Sequence, residues 1–163
     1  MYAERGLLVN LLIKNNLVLA TAESCTGGMI AAACTDLAGS SAWFERGFVS
    51  YSNDAKIELL GVPTDLIEQH GAVSEAVARA MVQGALARSH AQVAVAVTGV
   101  AGPTGGSKAK PVGTVWFGFA TPVGVLTEMR HFEGDRAAVR TATVQHAFER
   151  LVDLLKMAPA SPH

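Results

Sequence analysis

The 163 residues carry 13 Lys and Arg against 14 Asp and Glu, a formal net charge of -1, and 50% of them are hydrophobic. That composition folds around one buried core and excludes a disordered chain. Without any basic run it also excludes a surface that tracks nucleic-acid phosphates.

Two cysteines, Cys25 and Cys34, are too few for a disulfide framework and suit a reducing compartment. Arg5, the run GLLVNLLI and the later ATA loosely imitate a secretory leader, but Lys14, Asn15 and Asn16 interrupt its apolar part. No stretch reaches the length of a membrane span, so a cytoplasmic location without membrane contact is expected.

In chain order, Leu7, Leu8, Leu11 and Leu12 recur at helical spacing and predict a helix over 4–14. LVLATA (17–22) reads as a buried strand, and Gly27–Gly28 lead into a helix with Ile30, Cys34 and Leu37 on one face. GSSAWFERG is a turn plus a short ambiguous piece, and FVSYS (48–52) alternates like a strand. NDAKIELLG predicts a short helix stopped by Gly61, Pro63 opens another, and Ser74 caps a helix over 75–90.

AQVAVAVTG (91–99) is a buried strand, followed by the glycine-rich loop 100–113 and a hairpin that turns at Val123–Gly124. Asp135 caps a long final helix with a core stripe of Ala137, Thr141, Val144, Phe148, Leu151 and Leu155. Alternating helices and strands with a late hairpin predict an α/β fold. The expectation is a single three-layer α/β/α domain over 1–157, with a mixed, mostly parallel sheet, a C-terminal-half hairpin, and a frayed tail at 158–163.

Four segments can carry chemistry. AESCTGG follows a strand and opens a helix, where free N–H groups suit an anion and Ser24 and Thr26 add hydroxyls; the alternative is a tight turn that needs glycine and a cap. Cys25 there is either a thiolate or a small core residue. GVAGPTGGSK fits no nucleotide-binding template, yet its N–H groups with Lys108 or Lys110 can form an anion nest.

GSSAWFERGFVSYSNDAK gathers Ser40, Ser41, Ser50, Tyr51, Ser52 and Lys56. A lysine activates a serine only when burial keeps the amine neutral, and Trp43, Phe44 and Phe48 can supply the apolar wall. The alternative is a surface turn with a solvated lysine. Arg136 and Arg140, one turn apart on the last helix, either clamp an anion or pair with surface carboxylates. The five histidines show no metal-binding spacing, and His146 reads as a satisfied helix residue.

TAESCTGG, AGSSAWFERGFVSYSNDAK, GAVSEAVARAM, TGVAGPTGG…KPVGTVWFGFA and GDRAAVR, in that order and across nearly the whole chain, resemble the CinA C-terminal domain family. The resemblance implies an amidohydrolase that converts nicotinamide mononucleotide to nicotinate mononucleotide and ammonia by a serine mechanism, without metal or organic cofactor. It implies Ser41 as nucleophile, Lys56 as base and Tyr51 as a nearby catalytic residue. Ser24, Thr98 and either Arg136 or Arg140 are implied to line the pocket.

Backbone N–H groups near Gly27–Gly28 or Thr98–Gly99 are the expected oxyanion donors, and the glycine loop from Gly102 is a second candidate for the phosphate. AESCTGG is expected to be pocket wall and anion site rather than the home of the nucleophile. The expected partner is a small mononucleotide, and the hydrophobic composition also suggests a homo-oligomer. The alternative function is a non-catalytic nucleotide-binding or interaction domain.

Overall fold

The computed structural model describes residues 2–157, so the expected tail at 158–163 lies outside the described residues. Five strands, β1 (Leu19–Glu23), β2 (Phe44–Val49), β3 (Val93–Gly99), β4 (Thr114–Thr121) and β5 (Gly124–His131), form one sheet in the order β2-β1-β3-β4-β5. β1 pairs in parallel with β2 and β3, while β3–β4 and β4–β5 are antiparallel. Only β4 therefore runs against the other four strands, which is the expected mixed sheet with its hairpin.

Helices α1 (Arg5–Lys14), α2 (Met29–Thr35) and α6 (Arg136–Met157) cover one face; α3 (Asn53–Leu60), α4 (Thr64–His70) and α5 (Glu75–Ala87) cover the other. The period-two alternation of the strands divides the side chains by size. Leu19, Val93, Val95, Val97, Phe117 and Phe119 pack under α1, α2 and α6, whereas Ala20, Ala22, Ala94, Ala96 and Ala120 face α5. The alanine face lets α5 lie close to the sheet: a Cβ on Gly118 would stand 2.6 Å from the Ala78 carbonyl oxygen. Among the described residues no helix is long and apolar enough to cross a membrane.

The expected caps are present. The Ser52, Ser74 and Asp135 side chains accept hydrogen bonds from the N–H groups of Ala55, Val77 and Ala138, and Gly61 ends α3 in the left-handed region at φ 69°. Several boundaries and one helix face differ from the sequence reading. β1 extends to Glu23, so a carboxylate lies inside the strand.

β2 occupies 44–49 rather than 48–52, because it is an edge strand with weak burial contrast and Ser52 is taken as the α3 cap. α5 stops at Ala87 instead of continuing to 90. On α6, Ala137 and Thr141 are exposed; Val139, Thr143, Val144, Ala147, Phe148, Leu151 and Leu155 form the buried line. The first turn of α6 lies beside the loop 100–113, where Arg136 donates to the Gly102 carbonyl, and not over the sheet.

Candidate active site

Glu23 and Ser24 leave the carboxyl end of β1 as neighbours, and strand alternation sends them to opposite faces. Ser24 continues the ladder to β3 through its N–H on the Val97 carbonyl (3.1 Å), and its hydroxyl turns toward α3. There the amine of Lys56, a residue only 2% exposed, lies 3.1 Å from Ser24 Oγ and 3.1 Å from the Tyr51 carbonyl oxygen. Ser24 Oγ also lies 3.4 Å from that carbonyl.

Both hydrogen-bond partners of the amine are uncharged. Burial, with no carboxylate against the amine, pushes the Lys56 pKa below the ordinary lysine value of 10.5. A buried amine with lowered proton affinity beside a serine hydroxyl is the arrangement a general base needs.

The pair forms the floor of a cleft of about 220 Å³ lined by Ser24, Tyr51, Asn53, Lys56, Thr98 and Arg136, with Cys25, Ala72, Val73, Gly99 and Ala101 completing the wall. Thr98 Oγ1 donates to the Ala72 carbonyl oxygen (2.9 Å) and so holds the 72–73 segment against the cleft. Tyr51 is 61% exposed at the mouth, its phenol oxygen 3.5 Å from the Arg136 guanidinium. Arg136 also donates to the Gly102 carbonyl oxygen (3.0 Å), which ties the glycine loop to α6. A second cleft of about 440 Å³ shares Ala101 and Arg136 with the first and continues past Pro103, Val112 and Asp135.

The structure does not bring Ser41 and Lys56 together. Ser41 is exposed in the 3-10 turn Ser40–Ala42, before β2 begins. That end of the sheet is fixed by Leu19 N–H on the Trp43 carbonyl (2.7 Å), and the Lys56 end by Ser50 N–H on the Glu23 carbonyl (2.8 Å). The four residue steps from Leu19 to Glu23, at about 3.3 Å each, separate the two ends by roughly 13 Å. The serine that meets the lysine is Ser24, expected to be only a pocket wall.

The start of α2, after the AESCTGG turn, is not an open anion site either. The Glu23 carboxylate, buried at 1% exposure, accepts from Ile30 N–H (2.8 Å), Ala31 N–H (3.0 Å) and the Thr26 hydroxyl, so the start of α2 already holds an anion from its own chain. Thr26 is thereby turned away from the cleft. Gly27 and Gly28 (φ 58° and 106°) supply the turn's left-handed backbone, and Gly27 N–H is engaged by the Ser24 carbonyl.

Among the described residues, the N–H groups of Cys25 and Thr26 make no hydrogen bond, which leaves them as the free donors next to Ser24. The Cys25 thiol is pushed up to about 11, burial being the main cause, so it is a neutral wall residue near pH 7.

Gly99 lines the cleft, but its role is close packing, since a Cβ there would stand 2.7 Å from Val115 Cγ2. Gly102 contributes its carbonyl to Arg136, and Lys110 is held by the His70 carbonyl. The two arginines part company. Arg136 lines the cleft, whereas Arg140 donates from Nε to the Cys25 carbonyl oxygen (3.1 Å) and from Nη2 to that of Thr26 (3.2 Å).

Sequence reasoning missed Asn53, Ala72, Val73 and Ala101. Asn53 was within reach, because it precedes Lys56 by one helical turn. The other three carry no local signal.

A sequence profile of the CinA C-terminal domain matches residues 3–155. The chain is 65% identical over 120 residues to the nicotinamide-nucleotide amidohydrolase PncC of Enterobacter agglomerans, covering 73% of each chain. Against the protein of the same name from Escherichia coli K12 it is 56% identical over 132 residues, 80% of each chain. The fold superimposes on the competence damage-inducible protein A of Klebsiella pneumoniae with a TM-score of 0.93 at 37% identity, covering 97% of this chain and 98% of that one. For the competence/damage inducible protein CihA of Agrobacterium tumefaciens the TM-score is 0.86 at 48% identity, covering 93% and 96%. The chain belongs to the CinA C-terminal domain family.

Proposed function

We propose that the chain hydrolyses the carboxamide of nicotinamide mononucleotide to nicotinate mononucleotide and ammonia, with Ser24 as nucleophile and Lys56 as base. The observation that carries the reading is the 3.1 Å contact between a buried, uncharged-partnered amine and a serine hydroxyl in a cleft floor. It occurs in a chain 56–65% identical to proteins named nicotinamide-nucleotide amidohydrolases.

Neutral Lys56 takes the Ser24 proton as Oγ attacks the carboxamide carbon. The resulting ammonium returns a proton to the departing nitrogen, the C–N bond breaks, and ammonia leaves an acyl ester on Ser24. Water enters with Lys56 again as base, its oxygen attacks the ester carbon, and the C–Oγ bond breaks to give the carboxylate and free Ser24. The oxyanion of each tetrahedral intermediate is received by the N–H groups of Cys25 and Thr26, next to the nucleophile. These replace the Gly27 donor, which the turn consumes.

The pyridine carboxamide occupies the smaller cleft, and the ribose phosphate passes Arg136 into the larger one. Free nicotinamide lacks that second anchor and is a poor substrate. Tyr51 acts through its main-chain carbonyl on Lys56 and through its ring at the cleft mouth.

The test is ammonia release from nicotinamide mononucleotide by the purified chain, with and without a metal chelator, for the parent, Ser24→Ala and Ser41→Ala. Ser24→Ala loses at least about a thousandfold in kcat/KM, and Ser41→Ala keeps activity within about threefold. The reverse pattern returns the nucleophile to Ser41 and sinks the Ser24 assignment.

A further inference from the structure

The segment after Ser24 is gripped from two sides by side chains that the reaction itself does not use. From the α2 side, Glu23 holds the Thr26 hydroxyl and the N–H groups of Ile30 and Ala31. From α6, Arg140 reaches the carbonyls of Cys25 and Thr26, 115 and 114 residues away in sequence.

In a trans peptide the C=O and N–H point in opposite directions. Anchoring the Cys25 carbonyl on Arg140 therefore turns the Thr26 N–H to the far side of that peptide. Anchoring the Thr26 carbonyl turns the Gly27 N–H away too, onto the Ser24 carbonyl at 3.1 Å. Two adjacent peptide planes are thus fixed by one rigid fork, which a lysine with its single point of donation cannot reproduce.

We propose that Arg140 is a positioning residue for acyl transfer: by holding the Cys25 and Thr26 carbonyls it fixes the direction of the Thr26 N–H donor beside the Ser24 nucleophile. The positive charge on the carbonyl side also polarises both peptides, so that the Thr26 N–H is a stronger donor to a developing oxyanion. Glu23 completes the grip by closing the start of α2, which leaves the substrate anion to Arg136. The proposal rests on Ser24 as the nucleophile.

A donor set that drifts by a fraction of an ångström still binds the flat carboxamide but no longer meets the tetrahedral oxyanion. Arg140→Ala therefore lowers kcat for nicotinamide mononucleotide by about 30- to 300-fold and moves KM by less than about threefold. Arg136→Ala shows the opposite split, a KM raised about tenfold or more with a smaller change in kcat.

Added guanidinium ion restores part of the kcat of Arg140→Ala and nothing in Arg136→Ala at equal concentration. Arg140→Lys, which reaches one carbonyl, falls between parent and Arg140→Ala; it also replaces Arg140→Ala in the series if that protein does not fold.

A kcat within about twofold of the parent in Arg140→Ala or Arg140→Lys, in a protein whose Ser24→Ala form is inactive, overturns the positioning role alone. So does a fall in kcat that guanidinium leaves untouched while KM rises in step with it. A fully active Ser24→Ala protein overturns the nucleophile assignment and the positioning role with it.

Discussion

Replacing Lys56 by methionine separates what the lysine does for catalysis from what it does to the fold. Methionine has nearly the same length and fills irregular space well, so the walls around the α3 site stay in place. What is lost is one amine and its two hydrogen bonds, to Ser24 Oγ and the Tyr51 carbonyl, worth about 0.5–1.5 kcal/mol each. Part of that returns, because the Ser24 hydroxyl already lies 3.4 Å from the same carbonyl and can donate to it fully.

What is gained is relief from burying a basic group. The folded protein holds the Lys56 pKa below its ordinary value, with burial as the main cause, and each tenfold fall in proton affinity is about 1.4 kcal/mol of stability. Between the depressed pKa and 10.5 the unfolded chain binds more protons than the folded one, so stability rises with pH through that window. The penalty is fully present below it and gone above it.

Lys56→Met should therefore be at least as stable as the parent near pH 6, with an advantage that shrinks toward pH 10.5. Over the same series it should lose about a thousandfold or more in ammonia release, the scale expected when a general base is removed. Urea denaturation at pH 6, 8 and 10 beside the ammonia assay checks both halves. A variant less stable than the parent by more than about 1 kcal/mol at pH 6 would mean that the folded state holds a charged, well-paired lysine, and the base mechanism fails with it.

Two further outcomes follow from the packing. Treatment with an alkylating reagent at pH 7 should leave activity intact for the time that the folded protein lasts, because the Cys25 thiol is buried and pushed up to about 11; rapid inactivation that Cys25→Ala abolishes refutes the neutral-wall reading. Gly84→Ala should lower stability by about 1–3 kcal/mol or more, since its Cβ would fall on the Leu60 carbonyl oxygen where α5 crosses α3, and an unchanged denaturation midpoint refutes that contact.

How far the sequence could be read is clearest in the two serines. The fold was legible because its signals are local: VAVAV between turn residues, caps at Ser52, Ser74 and Asp135, and a hairpin turning at Gly124. Lys56 stood open between a base walled by aromatic residues and a solvated surface lysine, and the family resemblance favoured the base. The serine that lies against it was not picked out.

Ser41 and Ser24 lie 15 and 32 positions from Lys56; the family resemblance pointed to Ser41, whereas the structure sets Ser24 against the amine. The difference has a physical source in the placement of β2. Reading the strand at 48–52 hides the fact that 44–49 spans the sheet and carries residue 41 to the far end. Glu23 was hidden in the same way, because ending β1 at Ala22 removes the alternation that sends residues 23 and 24 to opposite faces.

The strand order then explains why the site stands where it does. β1 lies between β2 and β3, and the chain leaves it in one direction through α2, then returns over it through α3, α4 and α5 on the opposite face. At such a reversal the helices on the two sides diverge, and a crevice opens beyond the carboxyl ends of the central strands. Ser24 follows β1 directly, Thr98 and Gly99 end β3, and Lys56 comes from the first returning helix.

The residues at 40–42 lie at the amino ends, where no such divergence occurs, so a nucleophile there would have to build its pocket from exposed turn residues. A crevice between diverging layers instead supplies a dry wall for the amine from α3 and an open mouth for the nucleotide at Tyr51 and Arg136. Moving the proposed nucleophile to residue 22, one strand period back on the same face, should accordingly abolish activity even with Lys56 intact. Ala22 is fully buried under α5, and there a hydroxyl meets packed side chains and no cleft. Restoration of ammonia release by Ala22→Ser in a Ser24→Ala background would show that the chemistry does not depend on the crevice.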